Sequence, residues 1–421
     1  MKSHLVTATL AGLLILALVL TGCGGSQGTQ PQASGQASKP SQSTQPSQSS
    51  QSQQPAASTS AEPYKIGVLL SKTGGLALMG TRELEGIQFL ANKINAAGGI
   101  NGHKLELIYH DIESKPDIAV SFAKQLIEKD KVVALIGLES LAVATPVIPV
   151  VEEARVPMVA AMGLAPVGKK YAFASYPSGD LSVYADLWYL LTKKNATTFG
   201  VLASNDGIGQ WSKDTALPQQ NKALGDKLKM VGFESFEPTD KDVSTQLAKL
   251  KSGNPGGILL ATSGAAIATA AKNIKQMNLG LPVVAYGNSI TPEFIDLVGD
   301  AGDAVFYASP KAIIWDQLPA SDPQKDATGK AAAEFEKTTG KTWTLSTAVG
   351  YDTLLPVAEA LKAVGPDREK IKAAIETGQK GLQGAAGIWS RTPEDHVGTP
   401  VESYVMVTIK DKKVQLLDFV K

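Results

Sequence analysis

From Ile66 onward the chain alternates short, unbroken apolar runs with longer stretches in which apolar residues recur every three or four positions. A run that is apolar throughout is a strand covered on both faces, and a stripe of helical period is one face of a helix. Residues 66–70 therefore predict a strand. Leu84, Ile87, Leu90, Ala91 and Ile94 then mark a helix that the Gly-rich stretch 95–102 ends. Residues 105–109 predict a second strand, 118–127 a helix with Asp117 as N-cap, and 132–136 a third strand. The runs 156–162, 199–203, 258–262, 283–285 and 305–308 repeat the strand signal, mostly with helical segments between them. This is an α/β chain whose parallel sheets are sandwiched by helices. Its end departs from the rhythm: 346–364 and 367–377 predict two helices, and 404–409 with 414–419 predict a terminal hairpin turning at Asp411-Lys412-Lys413.

The segment ahead of this body has a different character. From Gly24 to Glu62 it is almost wholly Ser, Gln, Pro, Ala, Gly and Thr, with Lys39 and Glu62 as its only charges. Too little apolar area is present to offset the conformational entropy of ordering, so the tract is expected to stay disordered, spanning about 35 Å as a flexible coil. Cys23 is the only cysteine, and it closes Leu20-Thr21-Gly22-Cys23 behind an apolar run and Lys2. The arrangement resembles a bacterial lipoprotein signal, which implies residues 1–22 as a cleaved signal peptide, Cys23 as a lipid anchor and 23–63 as a tether. The globular body is then 64–421, long enough for two domains.

Forty basic residues balance forty acidic ones, and no basic run is present. That argues against a nucleic-acid partner and against electrostatic membrane binding. Enzyme readings find no constellation. Gly340-Lys341-Thr342 ends like a phosphate loop, but Phe335 stands where the earlier glycine belongs. Beyond the signal, His103, His110 and His396 are scattered, and no free cysteine remains to join them around a metal, so no cofactor or metal is expected.

Particular motifs carry a resemblance. Ile66-Gly67-Val68-Leu69-Leu70 leads into Ser71-Lys72-Thr73-Gly74-Gly75, and the next helix ends in Asn95-Ala96-Ala97-Gly98-Gly99-Ile100-Asn101-Gly102. Ala134-Leu135-Ile136-Gly137 with Ser140, Val156-Pro157, Tyr351-Asp352 and the stretch around Asp395-His396 follow in order. The chain is similar, over nearly all of 64–421, to the extracytoplasmic solute-binding proteins of ABC transporters, in the family of the leucine/isoleucine/valine-binding protein. The resemblance implies the type I periplasmic-binding-protein fold: two doubly wound lobes joined by three hinge crossings. Lobe 1 would take about 64–177 and 309–381, and lobe 2 about 178–308 and 382–421. It further implies a solute held between the lobes by closure, an ABC permease as partner, a monomeric receptor at the extracytoplasmic face of a membrane, and no chemistry. A rival keeps the fold and reads closure through a membrane signalling protein; a second is a tethered hydrolase or transferase.

Ligands of open α/β sheets sit beyond the strands' carboxyl ends, which puts Thr73-Gly74-Gly75 and 137–140 at the mouth of the site, with free N–H groups turned outward. Ser140 serves either as a ligand donor or as a helix N-cap. Gly75, Met79, Met162, Gly163, Leu164, Ile208 and Ser263 fall at loop positions that the resemblance turns toward the ligand. Where amino-acid binders of the family carry an acid after a glycine to hold the ligand ammonium, this chain reads Tyr286-Gly287-Asn288-Ser289. Burying an ammonium without a counter-charge costs several kcal/mol. Glu139 supplies that charge only if it turns into the cleft rather than into solvent. The expected solute is accordingly an amide or an apolar or aromatic carboxylate. Trp211 is a candidate stacking surface or packing residue; Tyr351, Asp352 and His396 are expected to be structural.

Overall fold

A computed structural model describes residues 61–162, 168–287 and 290–421. Cys23, the tether before Ala61, and the candidates Gly163, Leu164, Asn288 and Ser289 lie outside the described residues.

The first sheet contains β1 (Ala61–Leu70), β2 (His103–Asp111), β3 (Ala134–Gly137), β4 (Met158–Ala160) and β5 (Ala172–Ala174). It is parallel throughout, in the order β2-β1-β3-β4-β5. Its two-residue alternation is visible in the packing. Leu69, Leu135, Met158 and Ala172 enter one core, while Val68, Ile136, Val159 and Phe173 enter the other. Each fully buried aliphatic or aromatic side chain contributes roughly 1.5–3 kcal/mol.

The second sheet is built from β6 (Thr198–Ser204), β7 (Lys229–Phe236), β8 (Ile258–Ala261), β9 (Val283–Tyr286) and β10 (Phe306–Pro310). A small antiparallel ladder of β11 (Leu382–Gln383) and β12 (Ile388–Trp389) precedes β13 (Tyr404–Lys410) and β14 (Lys413–Phe419), which complete the second sheet. The order is β14-β13-β10-β9-β8-β6-β7, with β13 antiparallel to both its neighbours, β10 and β14, and the other pairings parallel. The terminal hairpin turns through Asp411 and Lys412, both left-handed at φ 51° and 58°, the conformation of a two-residue type I′ turn.

In each sheet the strand order reverses beside the first strand, between β1 and β3 and between β6 and β8. That reversal opens a crevice at the carboxyl edge, because the connections on either side leave in opposite directions. Behind the first crevice the helices Ala77–Ala96 and Leu345–Val364 cross at glycines. A Cβ on Gly86 would lie 2.0 Å from the Thr347 carbonyl oxygen, and one on Gly350 1.9 Å from that of Glu83.

The chain passes between the sheets at 175–178, after β10, and before β13. Two of these passages touch: the Tyr404 hydroxyl donates to the Ser178 carbonyl at 2.9 Å and to Pro177 at 3.2 Å. The stretch 382–398 lies along the first sheet. Asp352 accepts from the backbone N–H groups of Ala385, Ala386 and Gly387 and from the Trp389 indole at 2.5–3.2 Å. Arg391 donates to Ala174, and His396 stacks on Phe173 with its ring bonded to Ala172 and Glu376.

Three local expectations need correction. Asp117 lies inside the helix Pro116–Glu128, whose cap position is Lys115 and whose entry is set by the proline. The first strand begins at Ala61, because its pairing with β2 extends back to His103. Strands β5 and β7 add to those expected from the apolar runs.

Candidate functional site

The site is built at the carboxyl edge of the first sheet, over the β1/β3 switch point. Leu69 lies opposite Gly137 in the ladder, so Ser71 and Glu139, two residues beyond each, face one another. The backbone turns sharply there: Gly137 has φ 105° and Leu138 φ 61°. Leu138 is a bulky residue in the left-handed region, a conformation that costs about 1 kcal/mol or more and is held here by burial and by its N–H bond to Leu69 at 2.6 Å. The turn delivers Glu139 onto the end of β1, where one carboxylate oxygen accepts from the Ser71 N–H at 3.2 Å. The other oxygen is buried without a hydrogen-bond partner among the described residues. Glu139 is 4% exposed, so of the two placements left open by the sequence the carboxylate turns inward and not into solvent. Burial chiefly, with the charge of Asp111 adding to it, pushes its carboxyl above the usual range.

Ser140 occupies the cap position of the short helix Leu141–Ala144 but makes no side-chain capping bond. Its hydroxyl is buried and has no partner among the described residues, which leaves it free for a ligand. Beside it Leu141 is 40% exposed, and across the crevice Leu78 and Met79, at the start of the helix after β1, are 57% and 39% exposed. Exposed apolar side chains gathered at a strand-edge crevice are the surface expected to receive an apolar ligand body.

The loop after β1 behaves differently from expectation. The N–H groups of Lys72 and Thr73 and the Thr73 hydroxyl all go to Asp111 at the end of β2, at 2.9–3.4 Å. Burial works against ionisation of Asp111, but these donors and the Glu113 N–H outweigh it and hold the carboxyl below its ordinary value. Gly75 is exposed, with open space where a Cβ would stand.

Two further groups join the edge without a sequence signal. Glu83, three residues after Gly80 in the helix after β1, is fully buried, and neither carboxylate oxygen has a partner among the described residues. Burial first, then the charge of Glu139, raises its pKa well above the ordinary range. Tyr176, at the first passage between the sheets, is likewise raised by burial and then by Glu83.

Met162 is 3% exposed and packs in the hydrophobic core with Ala160 and Val143, so it is a core residue and not a cleft-facing one. At the second sheet's edge Ile208 is half-buried and its N–H is held by the capping carboxylate of Asp206 at 2.9 Å. Ser263 is half-buried, and its neighbour Thr262 carries a buried hydroxyl with no partner among the described residues. Trp211 packs edge-on against Tyr286, whose hydroxyl bonds Ser212 at 2.6 Å. The first sheet's edge therefore brings together Met79, Glu139 and Ser140, with Gly75 on the adjoining exposed loop. A separate groove of about 420 Å³, between the helices Ala77–Ala96 and Pro323–Thr339, includes Phe89, Phe335, Glu334 and Lys93 in its lining.

An α/β chain with two switch-point sheets, repeated passages between them and a polar and apolar rim at one strand edge has the architecture of a bilobal receptor. Residues 63–413 match the periplasmic binding protein family model, and the chain belongs to that family. An amino acid binding protein of Pseudomonas aeruginosa is 30% identical over 44% of this chain and 50% of its own length. The Leu/Ile/Val-binding protein of Escherichia coli K12 is 23% identical over 63% of this chain and 72% of its own. The chain thus spans about half the length of the former relative and rather more of the latter. Among solved structures, a leucine binding protein from Thermotoga maritima superposes with a TM-score of 0.70 at 24% identity, covering 85% of this chain and 98% of that one. An extracellular ligand-binding receptor from Rhodopseudomonas palustris gives 0.71 at 23%, covering 85% and 99%. These likenesses establish the two-lobed type I fold, and the relatives are named for binding, not catalysis.

Proposed function

We propose that this protein is the lipid-anchored, extracytoplasmic solute receptor of an ABC importer. Cys23 carries the anchor, 23–63 the tether, and the lobes close on a small organic solute that the membrane permease then receives. The receptor works as a monomer and performs no chemistry. Lobe 1 comprises about 64–177 and 309–400, and lobe 2 about 178–308 and 401–421. This reading sets the third crossing near Pro400 and not at Gly381, and it is supported by the bonds of 382–398 to Asp352, Ala172 and Ala174 on the first sheet's side.

The observation that carries this reading is the edge of the first sheet, where Leu78, Met79 and Leu141 stand exposed around the hydroxyl of Ser140, which has no partner among the described residues. Such a rim suits a solute with an apolar body and one polar end. Gly75, Gly163, Leu164, Ile208, Ser263, Asn288 and Ser289 are assigned to the walls of the same cleft on the family's pattern, and Glu139 to its polar end. Closure follows if the second lobe adds contacts to a solute already seated on the first, since only differential affinity shifts the equilibrium between open and closed forms.

A thermal-shift screen over amino acids, amides, amines and carboxylates tests the reading. A true solute at a hundredfold excess over its Kd stabilises the fold by about 2.7 kcal/mol. Turnover of a bound compound into product, or the absence of any stabilising small solute, would overturn it.

A further inference from the structure

The polar end of the site is acidic and the N–H groups of Ser71, Lys72 and Thr73 are spent, and from this we infer that the solute's head is a protonated amine, carried on an apolar body that lacks a carboxylate. This deepens the proposed solute capture and rests on it. A carboxylate or amide oxygen at this edge would need hydrogen-bond donors. The Ser71 N–H already serves Glu139, and those of Lys72 and Thr73 already serve Asp111. What remains unsatisfied at this edge, among the described residues, is chiefly acceptor capacity: one oxygen of Glu139 and both oxygens of Glu83, with the Ser140 hydroxyl able to accept as well as to donate. An ammonium offers three donors and no acceptor, which is the complement of that set.

The charge balance points the same way. At this edge the charge of Glu139 acts on Glu83, and that of Asp111 on Glu139. The basic side chains nearby in sequence are committed or exposed: Arg82 pairs with Glu85 at 3.3 Å, Lys115 with Glu113 at 2.7 Å, and Lys72 is exposed. Glu83 is fully buried, and a group so placed without a partner has lost its hydration with nothing in return. A cation seated between Glu83 and Glu139 would restore the loss for both. Burial raises both carboxyls first, with the charge of Glu139 adding to it at Glu83 and that of Asp111 at Glu139, the pattern expected of acids that lack a counter-charge. Leu78, Met79 and Leu141 then receive the hydrocarbon. The ammonium site is thus assigned to the first lobe, on the strand β3 side.

Calorimetry on the full chain with isoamylamine, 2-phenylethylamine, 3-phenylpropionate, 3-phenylpropionamide and leucine tests the assignment. The amines are expected to bind, at least tenfold more tightly than the carboxylate, the amide or leucine. Glu139→Gln, which keeps the Ser71 bond, is expected to weaken them at least tenfold, and Glu83→Gln to weaken them in a protein of unchanged or higher Tm. Preference for the carboxylate, the amide or leucine overturns the amine assignment and leaves solute capture standing. So does amine binding that neither variant alters, or silence toward both amines while another solute binds. If no solute of any class binds or closes the protein, the capture reading fails as well.

Discussion

Asp352 gathers more donors than any other buried acid of the molecule's described part. Three backbone N–H groups and the Trp389 indole point at its two oxygens, and Gly384 passes so close that a Cβ there would sit 2.2 Å from Oδ2. Burial is the larger influence and pushes its carboxyl up to about 7, the donors resisting. Arg391, also buried, stacks on Trp389 at 5.0 Å. Removing the carboxylate leaves several buried donors without a partner and takes away a negative charge that acts on the buried Arg391. Asp352→Ala is therefore expected to lose about 3–5 kcal/mol in urea unfolding at pH 8, where the carboxylate is ionised; a loss under 1 kcal/mol contradicts this role. Ser140 makes the opposite case. Because it caps nothing, Ser140→Ala is expected to change stability by less than the ~1 kcal/mol typical of a lost cap, while weakening solute binding about tenfold. A destabilised variant with unaltered affinity would return Ser140 to the capping role.

At the scale of elements, the helices Ala77–Ala96 and Leu345–Val364 approach through Gly86 and Gly350, where backbone meets backbone. Gly350→Ala has no space and is expected to cost about 1–3 kcal/mol, whereas Gly75→Ala, facing open space, is expected to be near neutral. Equal effects in a denaturant titration would show that the crossing is not tight. The elements themselves were largely legible in the sequence because strands buried on both faces are apolar at every position: β3, β8 and β9 announce themselves in this way. Strand β7 does not. It lies at the sheet edge with half-exposed residues such as Gly232 and Glu234 breaking its run, and β5 is only three residues long. The site was legible in part. Ser140 and Met79 follow from position after a strand, but Met162 looked like a cleft residue and is core, since a methionine reads the same in either place. Glu83 carried no signal, because an acid in the first turns of a helix is ordinarily solvated, whereas this one is fully buried.

Across the whole molecule, several carboxyls are held above their ordinary range by burial: Glu83, Glu139, Asp186 and Asp352. A carboxyl raised in the folded state binds more protons than in the unfolded chain. Its favourable contribution is complete below about pH 4 and is lost as pH rises through the folded value, about 7 for Asp352. Asp186 is fully buried, and burial outweighs the one backbone donor that faces its carboxylate, the Ala308 N–H. Asp186→Asn is accordingly expected to raise Tm at pH 7 and to lose that advantage near pH 4; an advantage independent of pH would exclude proton linkage as its cause.

Two lobes that close on a solute would turn about the chain passages that meet where Tyr404 bonds Ser178. Small-angle X-ray scattering of the globular body, with and without a solute found by thermal shift, measures this directly. A radius of gyration that falls on saturation, with a dose dependence matching the calorimetric Kd, is the expected result. A saturated protein whose scattering curve superposes on that of the empty one contradicts the account.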